Sequence, residues 1–358
     1  MDPSGIDPAL RELRLGDYRP APSLRLEAHE VPRARFPVVD AHNHLGRWPE
    51  PGRGWAAPDV PALLDLMDAC NLRAVVNLDG LWGDELEANL DRYDRAHPGR
   101  FATFCHPDWS VLGDPGSGER LAAQLERAAE AGAKGLKVWK DLGLRLRDER
   151  GELLMPDDER LADLWEAAAD LRLPVLIHVG DPVAFFGPLD ATNERLEELL
   201  AHPDWWFGDR ERFPAFERII DALESLVARH HRTTFVGAHV GCYAEDLAWV
   251  SGMLEAYPNF HVDIAARIAE LGRQPRAARR LFLEHPDRIV FGMDLTPDIA
   301  EYAIHFRYLE TDDEHFAYST EEVPPQGRWA ISGLGLPDDE LRNVYADNAL
   351  RLIPRLAA

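Results

Sequence analysis

Eight short runs of β-branched and apolar residues alternate with longer stretches of helical period along most of this chain. The runs are FPVVDAH, LRAVVNLDG, FATFCHPDW, GLKVWK, PVLIHVGD, TTFVGAHVG, FHVDIAAR and RIVFGMD. Segments such as ERLAAQLERAAEAG and FERIIDALESLVARHH lie between them and have the spacing of amphipathic helices. Runs of this kind suit parallel strands that are buried on both faces. Eight strand–helix units in 358 residues predict an α/β fold, a TIM (β/α)8 barrel. A doubly wound open sheet is the alternative, but no glycine-rich phosphate loop follows the first strand.

The sequence divides into an N-terminal arm and a barrel domain with two long inserts. Residues 1–35 are rich in proline and charge without a clear period, so we expect an N-terminal arm that wraps the domain or is partly disordered. Residues 36–358 form the predicted TIM-barrel domain. Long inserts follow the fifth and the eighth strand, and in a barrel both would cover the C-terminal face, where active sites lie.

Composition restricts the partners of this chain. The formal charge of −24 would repel the phosphates of nucleic acids and of anionic membranes. No apolar run reaches the length of about 18 residues that a membrane helix needs, and the N-terminus does not resemble a secretory signal. Three widely spaced cysteines predict buried thiols in a reducing cytoplasm. We therefore expect a cytoplasmic protein with a small-molecule substrate, and a homodimer stays open.

Metal-ligand side chains fall where predicted strands end. His42 and His44 form an H-x-H pair on the first strand, and alternation along a strand points both rings to one side. His178 ends the fifth strand, His239 the sixth and Asp294 the eighth. Imidazole nitrogens and a carboxylate at equivalent ends of barrel strands form a donor set for Zn²⁺ or a similar divalent ion. The joint pattern predicts a metal site, although a single buried histidine is usually structural.

Two further residues lie close to this pattern. Asp40 has the parity of His42 and His44 but lies deeper, so it is either a core acid or a partner of the ligands. His106 ends the third strand and is a weaker candidate for the rim. The other histidines lack such positions and are predicted to be surface or structural residues.

The motif D-x-H-x-H, the later histidines and the terminal aspartate together resemble the amidohydrolase superfamily. The FGMD ending of the eighth strand is similar to its amidohydrolase 2 branch, which includes the aminocarboxymuconate semialdehyde decarboxylase group; the resemblance covers residues 36–353. It implies that His42, His44, His178 and Asp294 bind metal, and that Asp294 also takes a proton from metal-bound water. His239 would bind a second ion or act as general acid/base beside a single one.

The implied cofactor is a divalent ion, Zn²⁺ before Mn²⁺, with one or two ions per chain. The physical reason is independent of the family: bound Zn²⁺ lowers the pKa of its water to about 7 and so supplies hydroxide at neutral pH. A neighbouring carboxylate or imidazole can then carry the proton to a leaving group.

All three lysines of this chain, among 39 basic residues, lie within one seven-residue window. Lys137 lies on the fourth strand and has the parity of the inward face, whereas Lys134 and Lys140 have the opposite parity. In several binuclear amidohydrolases a lysine on this strand is carboxylated and bridges two ions, which arginine cannot do because it stays protonated. Lys137 is therefore a candidate catalytic residue and metal ligand. An ammonium that faces the substrate and a structural ion pair are its alternatives. Lys134 is predicted to be a surface residue.

Substrate contacts are predicted from residues near the same strand ends. Trp139, Lys140, Arg267 and Phe185 are the candidates, and Lys140 would lie just above the rim. Arg267 would hold an anionic group. Asp181, three residues after His178, is predicted to cap the helix that follows.

These residues predict a metal-dependent hydrolase that cleaves a C–N or C–O bond of an amide, lactone or ester. His239, Asp294 and Lys137 would be its catalytic residues. The alternative is a non-oxidative decarboxylase or hydratase of a small carboxylic acid, in which His239 would protonate carbon. A metal-binding barrel without catalysis is disfavoured because the ligand set is complete.

Overall fold

Eight parallel strands form the centre of the protein in a computed structural model, which describes residues 5, 7–21, 23–47, 54–112 and 116–357. The strands are β1 (Val38–Asn43), β2 (Leu72–Asn77), β3 (Phe101–Thr103), β4 (Leu136–Val138), β5 (Val175–Ile177), β6 (Phe235–Gly237), β7 (Phe260–Asp263) and β8 (Ile289–Val290). They pair in chain order, β1 to β3 in one sheet and β4 to β8 in another. The eight predicted strands are therefore confirmed.

Backbone hydrogen bonds join the two sheets at both seams. Between β3 and β4, the Lys137 N–H donates to the Cys105 carbonyl at 2.7 Å. Between β8 and β1, the Ala41 N–H donates to the Phe291 carbonyl at 2.9 Å, and the Asp294 N–H donates to the His42 carbonyl at 2.8 Å. The strands thus form the TIM barrel that the alternating pattern predicts.

Helices lie between successive strands and after β8; most of them cover the outside of the barrel, whereas the short segment that contains His239 lies at its mouth with a left-handed backbone. The helices are α1 (Val60–Cys70), α2 (Gly83–Asn89), α3 (Ser117–Ala131), α4 (Asp141–Leu144), α5 (Ala162–Asp170), α6 (Leu196–Ala201), α7 (Phe216–Arg229), α8 (Ala238–Gly241), α9 (Leu247–Ala256), α10 (Ile268–Arg273), α11 (Pro275–Glu284), α12 (Ile299–Glu310), α13 (Asp338–Arg342), α14 (Asn348–Leu352) and α15 (Pro354–Ala357). Helix α1 shows how the sequence sets these bounds. The Asp59 side chain caps its N-terminus by accepting the Ala62 N–H at 3.0 Å, and Asn71 ends it with a left-handed φ of 67°.

The lower half of the barrel lumen is apolar. Its side chains come from alternate strand positions: Val39, Ala41, Ala74, Val76, Leu78, Ala102, Phe104, Leu176, Val236, Ala238 and Val290. Residues of the C-terminal helices, among them Ala349 and Ile353, pack against the same cluster. Since this end is filled with apolar side chains, the polar side chains that point inward lie at the opposite, carboxyl ends of the strands.

The N-terminal arm is largely exposed where it is described. Its polar contacts with the barrel include the His29 ring, 2.6 Å from Asp313, and the Arg33 guanidinium, which donates to the Ala69 carbonyl at 2.9 Å, while Val31 and Ala34 pack against the apolar core. No helix in the described part of the chain is long and apolar enough to cross a membrane. The boundary between arm and barrel at residue 35 stays a prediction.

Candidate active site

His42 and His44 enter the barrel mouth through an irregularity in β1. The register between β1 and β2 shifts between Asp40 and Asn43. Ala41 belongs to the lumen cluster, yet the next residue, His42, also turns its ring inward. Strand β8 approaches closely here, because a Cβ on Gly292 would lie 2.8 Å from the His42 Cβ. The glycine of the FGMD motif therefore permits the contact between the two strands at the site.

Asp294 is the centre of the polar cluster at the mouth. One carboxylate oxygen lies 3.3 Å from Nε2 of His42 and 3.0 Å from Nε2 of His44. The other lies 3.7 Å from Nε2 of His239. The donor atoms of His42, His239 and Asp294 lie within 4.8 Å of one another. The His178 ring joins them, with its centroid 4.4 Å from that of His239. All five side chains predicted from the strand ends therefore converge.

Left-handed backbone turns bring the side chains of His239 and Asp294 inward. His239 has a φ of 59° and Asp294 a φ of 61°, and Ala266 after β7 has a φ of 53°. Such conformations cost a non-glycine residue on the order of 1 kcal/mol or more, and they persist where the surrounding structure enforces them. Their gathering at one end of the barrel is typical of a functional site.

Hydrogen bonds on one ring nitrogen determine which lone pair faces the cluster. His42 Nδ1 lies 2.8 Å from the Asp263 carboxylate, and His239 Nδ1 lies 2.8 Å from the Ala265 carbonyl. Both acceptors require a proton on Nδ1, so each Nε2 presents a lone pair toward Asp294. Burial raises the pKa of Asp294, but without a bound ion the protonated forms of His42, His44 and His239 hold that pKa well below its usual value, and a cation would take the place of these protons. Lone pairs that face a carboxylate call for a cation between them.

His178 also fits a metal. Its Nε2 donates to the Gly180 carbonyl at 3.0 Å, which leaves the lone pair on Nδ1. That Nδ1 is buried and has no hydrogen-bond partner in the described part of the chain. Burial lowers the pKa of His178 to about 4, so the ring is neutral at pH 7. A neutral imidazole with a buried, unshared lone pair is the form that binds a divalent cation.

Two buried aspartates that the sequence reasoning missed hold the histidines in place. Asp263 at the end of β7 contacts the His42 ring with one oxygen, and its other oxygen accepts the His239 N–H at 2.8 Å. Asp79 after β2 lies 2.6 Å from Nδ1 of His44. Both carboxylates end apolar runs, the same signal that selected Asp294. Such outer partners orient the ligands of metal sites.

Replacing Asp263 with asparagine should lower the affinity for divalent metal about 10- to 100-fold, because an amide cannot accept from both His42 and His239 with its single oxygen. Competition with a chromogenic chelator measures this change. The matched control is Asp190→Asn, at an exposed residue, and it should bind metal like the wild type. An unaltered affinity in Asp263→Asn would contradict this role.

Lys137 lies inside the barrel beside the histidines. It is fully buried, its Nζ is 3.4 Å from Nε2 of His42, and the flanking Leu136 and Val138 belong to the outer core. Burial lowers the pKa of Lys137 to about 8, against the opposing charges of Asp294 and Asp263. The position agrees with the inward face predicted from parity.

A cavity of about 960 Å³ opens above the cluster. His178, His239 and Asp294 form part of its wall, and the two long inserts supply most of the remainder. All four predicted substrate residues line it: Trp139, Lys140, Phe185 and Arg267. The Trp139 ring stands edge-on to His44 and to His178, at centroid distances of 5.6 and 5.5 Å.

Other predictions around the site need correction. Asp181 does not cap a helix: its carboxylate pairs with Lys140 at 2.6 Å, and no side chain caps the 3-10 turn Val183–Phe186. Lys134 is not a plain surface residue, because its half-buried amine donates to the Phe101 carbonyl at 3.0 Å and so ties β3 to β4. His106 lies at the end of β3, where its Nε2 donates to the Leu78 carbonyl at 2.5 Å.

Asp40 departs from the parity argument. Its carboxylate points away from the lumen and accepts the Tyr302 hydroxyl of α12 at 2.6 Å. It also accepts the backbone N–H groups of His42 at 3.1 Å and Met293 at 3.2 Å. The buried acid therefore binds the backbone beside the ligands and lies outside the metal cluster.

A closed barrel with histidines and a carboxylate at its C-terminal mouth defines the class of metal-dependent TIM-barrel enzymes. A family model described as Amidohydrolase matches residues 39–355, so the chain belongs to the amidohydrolase family and is an enzyme. The resemblance drawn from the D-x-H-x-H motif is thereby confirmed. No curated protein sequence matches the chain.

Solved structures share the fold at low sequence identity. The 2,6-dihydroxybenzoate decarboxylase from Rhizobium is 17% identical with a TM-score of 0.55, over 89% of this chain and 99% of that one. A dihydroxybenzoic acid decarboxylase from Polaromonas, solved with manganese and the inhibitor 2-nitroresorcinol, is 15% identical with a TM-score of 0.55, over 89% and 97%. A TIM-barrel protein from Bordetella bronchiseptica is 14% identical with a TM-score of 0.53, over 90% and 100%.

Proposed function

We propose that this protein is a divalent-metal-dependent hydrolase that cleaves the C–N or C–O bond of a small amide, lactone or ester. The observation that carries the proposal is the position of Asp294, whose ionised carboxylate contacts His42, His44 and His239 at the floor of an open cavity. Hydrolysis needs a base that accepts a proton from water beside the metal. A carboxylate at this point meets that need.

The metal would be held by His42, His44, His178 and Asp294, with Zn²⁺ the expected ion and Mn²⁺ the alternative. Nitrogen donors with a carboxylate favour Zn²⁺. When bound, the ion supplies Lewis-acid polarisation and a more acidic water. His239 either binds a second ion or stays a general acid/base.

The side chains then divide the proton transfers. Asp294 would accept a proton at its carboxylate and give it to Nε2 of His239, 3.7 Å away, and His239 would then pass it to the leaving nitrogen or oxygen. Lys137 would either bridge two ions as a carbamate or stabilise negative charge on the substrate oxygen as an ammonium. Its enclosed position beside His42 supports both roles and excludes bulk water from the amine.

Non-oxidative decarboxylation of a small carboxylic acid is the second candidate. Lys140 and Arg267 line the cavity and suit an anionic substrate. His239 would then protonate carbon in place of a leaving group. Two of the proteins that share the fold are decarboxylases.

Turnover in ¹⁸O-labelled water separates the two candidates. Amides, lactones, esters and aromatic acids are screened with the metal-loaded protein. We expect a substrate whose product carboxylate contains one ¹⁸O atom, and we expect the reaction to release no carbon dioxide. Asp294→Asn should abolish this turnover. Stoichiometric carbon dioxide without incorporation of ¹⁸O into the organic product would instead establish the decarboxylase.

A further inference from the structure

Arg267 is held in the cavity wall by an unusual turn. It lies four residues after Asp263, and the residue before it, Ala266, has a left-handed φ of 53°. The Ala266 carbonyl accepts from Nη1 of Arg267 at 2.8 Å and from Nε2 of Gln326 at 3.0 Å. Gln326 belongs to the insert that follows β8 and also lines the cavity. The turn and the insert therefore fix the guanidinium together.

The Arg267 guanidinium lies in the same cavity as the proposed catalytic residues His239 and Asp294. Nδ1 of His239 lies 2.8 Å from the carbonyl of Ala265, two residues before Arg267, so one short turn carries the arginine and holds the histidine ring. A group bound at Arg267 would thus belong to the molecule whose other end reaches Asp294.

Arg267 differs from the other cations around this cavity in its pairing. Lys140 pairs with Asp181 at 2.6 Å, Arg145 lies 3.8 Å from Asp141, and Arg195 behind the wall pairs with Glu198 at 2.6 Å. Arg267 is only 6% exposed, yet none of the described carboxylates lies within 4.0 Å of its nitrogens.

Seven carboxylates and three cations of the described residues line the cavity, so only the surroundings of Arg267 itself favour an anionic ligand. Exposed acids at the mouth, such as Asp204 and Glu321, are screened by water and contribute little. A buried guanidinium without a direct partner is costly, and Glu198 and Glu245 offset its charge only through space. The planar fork of arginine matches a carboxylate.

We propose that Arg267 forms a subsite for a carboxylate of the substrate that takes no part in the reaction. The substrate class is then a small amide, lactone or ester that also bears a free carboxylate, and Arg267 determines this specificity. The inference rests on the proposed function for the identity of the reacting bond, whereas the subsite itself is a binding property.

Calorimetry with two probes that a hydrolase cannot cleave tests the subsite without turnover. 5-Oxohexanoate carries a ketone in place of the amide and one carboxylate, and 2,6-heptanedione is its neutral counterpart of similar length. The metal-loaded wild type should bind 5-oxohexanoate about 10- to 100-fold more tightly, which is the value of a charged hydrogen-bonded pair. Arg267→Gln should lose this preference, and Arg267→Lys should keep part of it. Arg145→Gln, a control at an exposed cation of the same cavity, should retain it.

Three results would overturn the subsite: equal affinity of the wild type for both probes, no binding of either probe at about 10 mM, or a preference that survives in Arg267→Gln. Arg267→Lys decides the question if the glutamine variant melts too early to be used. The two proposals fail separately. Amides that bear a free carboxylate, if hydrolysed equally well by wild type and Arg267→Gln, would support the hydrolase and reject the subsite. If Arg267→Gln loses the preference for the carboxylate probe but the wild type hydrolyses no tested compound, the subsite is supported and the hydrolase is rejected.

Discussion

Replacing His42 with alanine should leave a folded protein that no longer retains a divalent ion. The His42 side chain is fully buried, and its Nε2 faces both Asp294 and Lys137. Loss of a metal ligand should lower the affinity for the ion more than loss of a residue that only orients a ligand, such as Asp263. We therefore expect the metal affinity to fall by more than about 100-fold. Activity should disappear with the metal.

Elemental analysis of the purified and dialysed variant measures the metal per chain, and circular dichroism checks the fold. His231→Ala is the matched control, because this histidine is exposed and lies outside the cluster. It should keep the metal content of the wild type. A full complement of metal in His42→Ala would refute the assignment of the whole site, under the hydrolase and the decarboxylase alike.

The fold could be predicted because its signals are local. Each strand is an apolar run, and each strand end lies at the same mouth of a parallel barrel, so His178, His239 and Asp294 could be grouped without knowing any contact. Parity predicted the inward position of Lys137 because β4 is regular there, with Leu136 and Val138 packed outward.

The parity of side chains along a strand gave wrong predictions where the backbone is irregular. Asp40 alternates regularly with Val39 and Ala41 of the lumen and so faces α12, and the register shift after Asp40 turns His42 inward although it has the same parity. Left-handed turns at His239 and Asp294 follow from closed packing, and a pattern of residue types does not specify them. Asp263 and Asp79 also end apolar runs, but their roles depend on hydrogen bonds to His42, His239 and His44 on other strands, which a pattern of residue types does not show.

Contacts within the inserts were beyond sequence reasoning. The sequence predicts that Asp181 caps a helix, but its carboxylate instead pairs with Lys140 from the end of another strand. Arg195 is buried between Glu198 and Glu270, and Glu270 belongs to a helix after β7. Such pairs depend on where distant segments meet, and no periodicity marks them.

Replacing Lys137 with arginine should reduce kcat about 100- to 1,000-fold while the protein stays folded, because the charge is conserved but neither a carbamate nor a compact ammonium can form at this point. The lumen around Lys137 is closed, so the larger side chain should also displace the His42 ring, whose Nε2 is 3.4 Å away. Lys134→Arg is the matched control: its amine binds a backbone carbonyl between β3 and β4, which a guanidinium can also do. It should keep full activity.

Two further measurements distinguish the roles left open for Lys137. Mass spectrometry under native conditions, together with the metal count, should find one extra carboxyl group and two ions per chain if this lysine is a carbamate bridge. In Lys137→Ala, small carboxylic acids should then restore activity, whereas small primary amines should restore it if the lysine acts as an ammonium. A purely structural lysine predicts loss of thermal stability without rescue by either. Full activity of Lys137→Arg would remove Lys137 from the reaction altogether, since arginine reproduces only its charge.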